Sequence, residues 1–216
     1  MEYTIFTKES LDTLRESLKD TMSEKRYRHT VAVEDMVTRL AALYCPEKTD
    51  VLRAAALLHD MTKELDVEEQ IRICREKGIP LEDHAEYAPK IFHAKTAAAL
   101  IPERYPAYAH PEVISAVRWH TTGHACMTLG EKLVYLADYI DESRRFPDCV
   151  RLRNLFWDAH PEDMIPDERE AHLRDILLIS YEMTIRGLLD DGALISADTM
   201  LARNELVTEK KSKSNI

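Results

Sequence analysis

Apolar residues return at three- and four-residue intervals through almost the whole chain, and nearly every run is closed by Gly, Pro or a capping side chain. That pattern admits helices and little else. Only five of 216 residues are glycine, too few for a β-rich or loop-rich design, and no segment reads as a strand. Residues 8 to 20 predict a short amphipathic helix. In residues 24 to 43, His29, Val33, Met36, Val37 and Leu40 share one face. Asp50 is placed to cap the next helix, on which Leu52, Ala55, Ala56 and His59 align. Asp66 with Glu69 predicts a capping box that opens a helix to about Lys77, stopped by Gly78-Ile79-Pro80. Residues 81 to 90 read as a loop, and 91 to 101 as a helix ended by Pro102. His110 caps and Pro111 opens the following helix, whose inner face is Val113, Ala116, Val117 and His120, and Thr121-Thr122-Gly123 stops it. Thr128 with Glu131 predicts a second capping box, starting the helix that carries Asp138. Beyond a break at Phe146-Pro147-Asp148, helices are expected near 149 to 157, 167 to 190 and 197 to 206. The expected architecture is an all-α bundle in one domain over residues 1–206, with a core at about 22–145 and C-terminal helices at 149–206. A disordered tail is expected over 207–216.

Composition narrows the setting. With 45% hydrophobic residues the chain can bury a substantial core. Its net charge is −10, from 39 acidic and 29 basic residues, and no basic stripe marks a nucleic-acid partner. Cys45, Cys74, Cys126 and Cys149 are far apart and form no CxxC, as expected of reduced thiols. The N-terminal residues are too charged for a signal peptide, and no apolar run approaches a membrane-spanning length. The expectation is a cytoplasmic protein with no membrane partner; a homodimer is compatible with the sequence.

The run AALLHDMTK, residues 55 to 63, places His59 and Asp60 at the end of an apolar helix, where ionisable groups are expensive unless paired or metal-bound. His29 upstream and His93, His120 and Asp138 downstream are of the same ligand types, and most close an apolar stripe. Stiff helices can bring such groups together at fixed distances. Imidazole and carboxylate without thiolate suit iron, manganese, zinc or cobalt. Six ligands exceed the needs of one tetrahedral ion, so two metals with Asp60 as the bridge are the more economical arrangement. Paired metals lie ~3.5–4 Å apart and hold a water as hydroxide near neutral pH. A single histidine on an apolar face is more often a satisfied core residue. That plainer reading is kept for His84, His110, His124, His160 and His172, with His110 as a cap.

HTVAV (29 to 33), HDMTK (59 to 63) and YLADYID (135 to 141) resemble the HD superfamily of metal-dependent phosphohydrolases. RWHTTG (118 to 123), MTLGEKLVYLADYID (127 to 141), SRRFP (143 to 147) and TIRGLLDDGALISADTMLARNEL (184 to 206) are similar to its YqeK-type subfamily, the symmetrical bis(5′-nucleosyl)-tetraphosphatases. The resemblance covers roughly residues 22 to 206. It implies an all-helical HD-type bundle, a dinuclear centre with iron as the expected metal, and cleavage of diadenosine tetraphosphate into two ADP. It also implies that His29, His59, Asp60, His93, His120 and Asp138 are the metal ligands. Lys63 falls on the lysine of the HDxxK pattern, and Thr121, Thr122, Gly123 and Arg144 fall in blocks that border a nucleotide pocket. The chain departs from the pattern at Ala94-Lys95, where Gly-Pro is usual, at His124, often Arg, and at Asp141-Glu142, usually Glu-Pro.

The substrate such a site suits is a polyanionic small-molecule nucleotide. Asp60 and Lys63 are the candidate catalytic residues; Lys63, one turn past Asp60, could touch a non-bridging oxygen as a point charge. Arg118, Thr121, Thr122, Gly123 and Arg144 are the candidate substrate contacts, Arg144 through its planar fork. Plainer readings are a solvated lysine, a surface arginine and a helix stop. Two alternative functions stay open: a phosphohydrolase of the same superfamily acting on another nucleotide, and a non-catalytic nucleotide-binding module. A structural helical protein with incidental histidines is a third.

Overall fold

Helix α3, Thr49–Leu58, is the apolar axis of the molecule. Val51, Leu52, Ala54, Ala55, Ala56, Leu57 and Leu58 are all buried along it, and a helix apolar on every side needs neighbours on every side. The computed structural model describes residues 6–81 and 88–213. Within them α1 (Lys8–Ser17), α2 (Glu24–Tyr44), α6 (Pro111–Trp119) and α7 (Leu129–Ile140) pack against α3. α4 (Val67–Glu76) and α5 (Phe92–Arg104) lie against one another, and α5 against α6. A second layer, α8 (Pro147–Trp157), α9 (Pro166–Asp190) and α10 (Ala197–Lys213), covers the outer side of α7. The protein is an all-α, single-domain bundle, and the described residues contain no strand. No described helix is long and apolar enough to cross a membrane.

Local signals set most of the boundaries. Thr7, Ser23, Asp66 and Thr128 each accept a backbone N–H of the first turn they cap. His110 Nδ1 accepts from Glu112 N, and Pro111 sits at the first helical position. Thr128 and Glu131 form the complete reciprocal box. Elsewhere the structure departs from the sequence reading. Asp66 caps its helix, but Glu69 turns to Arg72 instead of back to the cap. Asp50 caps nothing: α3 starts one residue earlier, directly after the 3₁₀ turn Pro46–Lys48, and Asp50 reaches Arg53 from inside the first turn. Pro102 does not end α5. It falls near the helix end, where its missing N–H removes one bond, and the helix continues to Arg104 before Tyr105 N donates to Ile101 O at 2.8 Å. α1 is shorter than expected and closes at Ser17. Residues 82–87, including His84, lie outside the described residues.

The tail reading needs the largest correction. α10 does not stop at Leu206 but runs on to Lys213, seven residues into the segment 207–216 expected to be disordered. Two cross-helix ion pairs hold it: Lys210 with Asp175 at 3.3 Å and Glu209 with Lys132 at 3.7 Å. Charge density, which argues for solvation in an isolated segment, here finds opposite charge on the neighbouring helices.

One polar group sits deep in this apolar frame. Glu34 on α2, 1% exposed, accepts from Arg15 Nε and Nη2 at 2.7 Å and from Arg53 Nε at 3.0 Å. The bidentate pair ties α1 to α2, and Arg53 ties α3 to both. Removing Glu34 leaves two part-buried guanidinium groups without their shared anion. Glu34→Ala should therefore destabilise the fold by about 3 kcal/mol, read from the urea midpoint. A change within ~0.5 kcal/mol would mean that the arginines find water instead.

Candidate metal centre

The six ligand-type residues reach one place mainly because five of them stand at or near helix ends. His59 follows the last residue of α3 and His120 the last residue of α6. Each turns its Nδ1 back onto a free carbonyl of its own last turn, Ala56 O at 2.6 Å and Val117 O at 2.7 Å. The same device thus appears twice: the helix end accepts the Nδ1–H, which leaves the Nε2 lone pair directed at the centre. His29 lies in the second turn of α2, and His93 at the second residue of α5. Asp138 lies in the last turn of α7. Asp60 follows His59 in the turn that leaves α3.

Asp60 is the focus. Its Oδ2 lies 3.3 Å from His59 Nε2 and 3.7 Å from His29 Nε2, and its Oδ1 lies 3.2 Å from His93 Nε2 and 3.6 Å from His120 Nε2. Asp138 Oδ1 stands 2.9 Å from His29 Nε2 and 3.8 Å from His59 Nε2. His93 and His120 face one another, Nε2 to Nε2, at 3.0 Å. Two triads have ligand atoms within 4.8 Å of one another: His29, His59 and Asp138, and His59, Asp60 and His120. The donor set fits a cation. His29 Nε2, His59 Nε2 and Asp60 Oδ1 are buried and make no hydrogen bond, and orphaned polar atoms of this kind are costly unless a ligand completes them.

The electrostatics agree with crowding of acid on imidazole. Burial alone would raise the Asp60 carboxyl, but His59, His120 and His93 hold it well below the usual carboxylate range. Burial likewise opposes the charge on Asp138, and Arg144 with His29 and His59 keeps it low. His29 feels burial downward, yet Asp138 and Asp141 raise it to about 9. Burial takes His93 the other way, down to about 4, and lowers His120.

Of the candidate substrate contacts, some reach this centre and some do not. Lys63 Nζ lies 3.1 Å from His93 Nε2, and Thr121 Oγ1 lies 3.1 Å from the same nitrogen. Arg144 donates from Nη2 to Asp138 Oδ1 at 2.5 Å and from Nε to Asp138 O at 2.6 Å. Arg118 instead lies over the Trp119 ring at 5.1 Å, where burial lowers its pKa against the opposing pull of Asp198. Thr122 is buried and donates to Gly123 O. Gly123 has φ +62°, and a Cβ there would come 1.8 Å from Tyr181 Oη. Its part is steric: it lets the turn after His120 pass under a tyrosine of α9.

Three neighbours of the centre escaped the sequence reading. Arg26 donates to Asp60 Oδ2; it lies three residues before His29, hence on the same face of α2. Asp141, fully buried, and Ser143 flank His29 Nδ1 at 3.3 and 3.1 Å. Asp141 Oδ1 also accepts from Ser143 N at 2.8 Å. This pair turns the His29 ring as the helix carbonyls turn His59 and His120. A signal was available, since Asp141 is one turn past Asp138, but nothing in its spacing distinguishes it from a helix cap.

Comparison with known proteins places this geometry in a wider set. The HD domain family model matches residues 26–143. A relative from Halalkalibacterium halodurans named "Bis(5'-nucleosyl)-tetraphosphatase, symmetrical" is 31% identical over 194 residues, 90% of this chain and 95% of its own. One of the same name from Bacillus subtilis is 31% identical over 193 residues, 88% and 94% of the two chains. A crystal structure from Clostridium acetobutylicum, described as a "predicted HD superfamily hydrolase involved in NAD metabolism", superposes with a TM-score of 0.79 at 34% identity, covering 93% of this chain and 98% of that one.

Gly123 and Gly192 share φ +62°, but a Cβ at Gly192 would meet nothing within 4 Å. Gly192→Ala should cost only the backbone strain, roughly 1–2 kcal/mol. Gly123→Ala adds the displacement of Tyr181 and should cost about 1–3 kcal/mol more. Equal losses of the two variants in thermal or urea unfolding would show that Tyr181 yields freely.

Proposed function

Since the chain belongs to the HD domain family of phosphohydrolases, we propose that it cleaves diadenosine tetraphosphate symmetrically into two ADP, with two metal ions held across Asp60. The observation that carries the dinuclear reading is the division of Asp60, one carboxylate oxygen toward His29 and His59 and the other toward His93 and His120. In this reading His29, His59, Asp138 and Asp60 would hold one ion, and His93, His120 and Asp60 the other. Iron is the proposed metal, as the family resemblance implies, and manganese, cobalt or zinc are alternatives that suit the same imidazole and carboxylate donors. When bound, such ions neutralise phosphate oxygens and lower the pKa of water.

The chain's own groups do the rest. Lys63 and Arg144 bind phosphate oxygens of the tetraphosphate, Lys63 as a point charge and Arg144 as a fork. Both already stand in the cluster, so little ordering is needed when the substrate arrives. Thr121 offers a hydroxyl beside them. Water attacks a phosphorus next to the central bridge, the bond from that phosphorus to the bridging oxygen breaks, and the oxygen leaves with the second ADP. Symmetry requires the nucleoside end to be held so that an inner phosphorus, and not an outer one, meets the water. The names and extended match of the two relatives support this substrate class. The Clostridium neighbour's description favours a second reading, another dinucleotide joined by phosphoanhydride bonds, and the same assay separates the two.

Product analysis is the decisive experiment. Diadenosine tetraphosphate hydrolysed in ¹⁸O-labelled water should give only ADP early, with one solvent oxygen per ADP pair. Early ATP with AMP would overturn symmetrical cleavage, and preferential turnover of NAD would support the second reading. Protein purified anaerobically should carry metal, and Asp60→Ala should lose it together with hydrolysis. Asp141→Asn should keep the fold but weaken metal binding by roughly 10–100-fold, the range for loss of a group that orients a ligating histidine. Wild-type affinity in that variant would remove Asp141 from the support of His29.

A further inference from the structure

Three basic side chains stand against the metal-facing groups, each on a different one. Arg144 is on Asp138, Lys63 is beside His93, and Arg26 Nη1 donates to Asp60 Oδ2. They share one site: burial lowers the Lys63 ammonium's pKa, Asp60 and Asp138 raise it, and Arg26 and Arg144 push it down again. Arg144 and Arg26 each hold a carboxylate oxygen that faces His29 and His59, but Arg26 holds the one on Asp60, the carboxylate that also faces His93 and His120. Asp60 Oδ2 is the oxygen that faces His59 at 3.3 Å and His29 at 3.7 Å, so a cation ligated by those imidazoles would compete with Arg26 for it. Metal and guanidinium are also like charges at one oxygen, and the metal is the stronger of the two there.

Displaced from Asp60, Arg26 would be left near Glu64, a carboxylate that is exposed and already accepts from Ser23 N and Oγ. The Arg26 Nε is already buried without a hydrogen-bond partner, and its side chain is only 23% exposed. A partly desolvated guanidinium in that position needs an anion, and a polyphosphate chain offers paired oxygens that match its fork. The place is right as well, because the phosphates under attack must lie over the two ions.

We propose that Arg26 is a phosphate-binding residue that exchanges Asp60 for the substrate's polyphosphate, so that metal and nucleotide fill the site in a linked way. The inference rests on the dinuclear reading above. Metal entry releases the guanidinium, the phosphate chain retains it, and each ligand thereby strengthens the binding of the other. A purely structural Arg26 would behave differently. If it only steadied the turn carrying Asp60, its removal would loosen that carboxylate and weaken both ligands.

The test is calorimetric and needs no turnover. Wild type, Arg26→Ala and Arg26→Lys, each checked for wild-type helicity and melting temperature, are titrated first with Mn²⁺ alone. The manganese-loaded proteins are then titrated with the diadenosine tetraphosphate analogue whose central bridging oxygen is a methylene. In Arg26→Ala, Mn²⁺ should bind several-fold more tightly and the analogue about tenfold or more weakly, as expected for one charge-assisted contact. Arg26→Lys keeps a charge but not the fork, and should fall between. Weaker Mn²⁺ binding in both variants, or analogue binding equal to wild type, would overturn the inference while leaving the metal centre in place. A wild-type protein that takes up no Mn²⁺, Fe²⁺, Co²⁺ or Zn²⁺ would overturn the dinuclear reading and this inference with it.

Discussion

A single buried carboxylate organises the centre. Asp60 is 3% exposed just past the end of the buried, apolar helix α3, and four imidazoles and one guanidinium converge on it. An isolated carboxylate there would be protonated or would pull water in. The fold instead surrounds it with nitrogen from α2, α5 and the ends of α3 and α6. Placing those nitrogens requires the helices to stop at particular residues, and the apolar packing of α3 holds the stopping points still.

Helix ends are therefore the working parts of the fold. Within a helix every backbone group is spent on its own ladder, whereas the last turn has carbonyls to spare. His59 and His120 use those carbonyls to fix their rings. His29 has no such end nearby and needs Asp141 and Ser143 from the turn after α7. The three histidines are thus oriented by two different means that serve one purpose, and the second depends on a segment more than a hundred residues away in sequence.

This difference decides how much could be read from the sequence. The fold class was legible because apolar spacing and caps are local, and helix existence survived even where Asp50, Glu69 and Pro102 were given the wrong part. The convergence of His29, His59, Asp60, His93, His120 and Asp138 was legible because each closes or flanks an apolar stripe. What escaped has a common character. Arg26, Asp141 and Ser143 are ordinary surface residue types whose meaning comes from a partner elsewhere in the chain. Gly123 read as a helix stop and a candidate substrate contact, and only the position of Tyr181 shows what a side chain there would meet. The segment after Leu206 read as solvated because the charges opposite it, Lys132 and Asp175, belong to other helices.

The contact between Gly123 and Tyr181 has a consequence for the protein as a folding unit. The family match ends at residue 143, yet Tyr181 stacks on Tyr135 at 4.6 Å and roofs the turn that follows His120. The C-terminal helices thus share a core with the helices that deliver the site. Opening α9 from α7 would expose Tyr135 and release the His120 turn in the same event, so hydrogen exchange at α9 and at the end of α6 belongs to one cooperative unit. A natural variant that frays the C-terminal half would be selected against through the chemistry of the N-terminal half, although the two share no catalytic group.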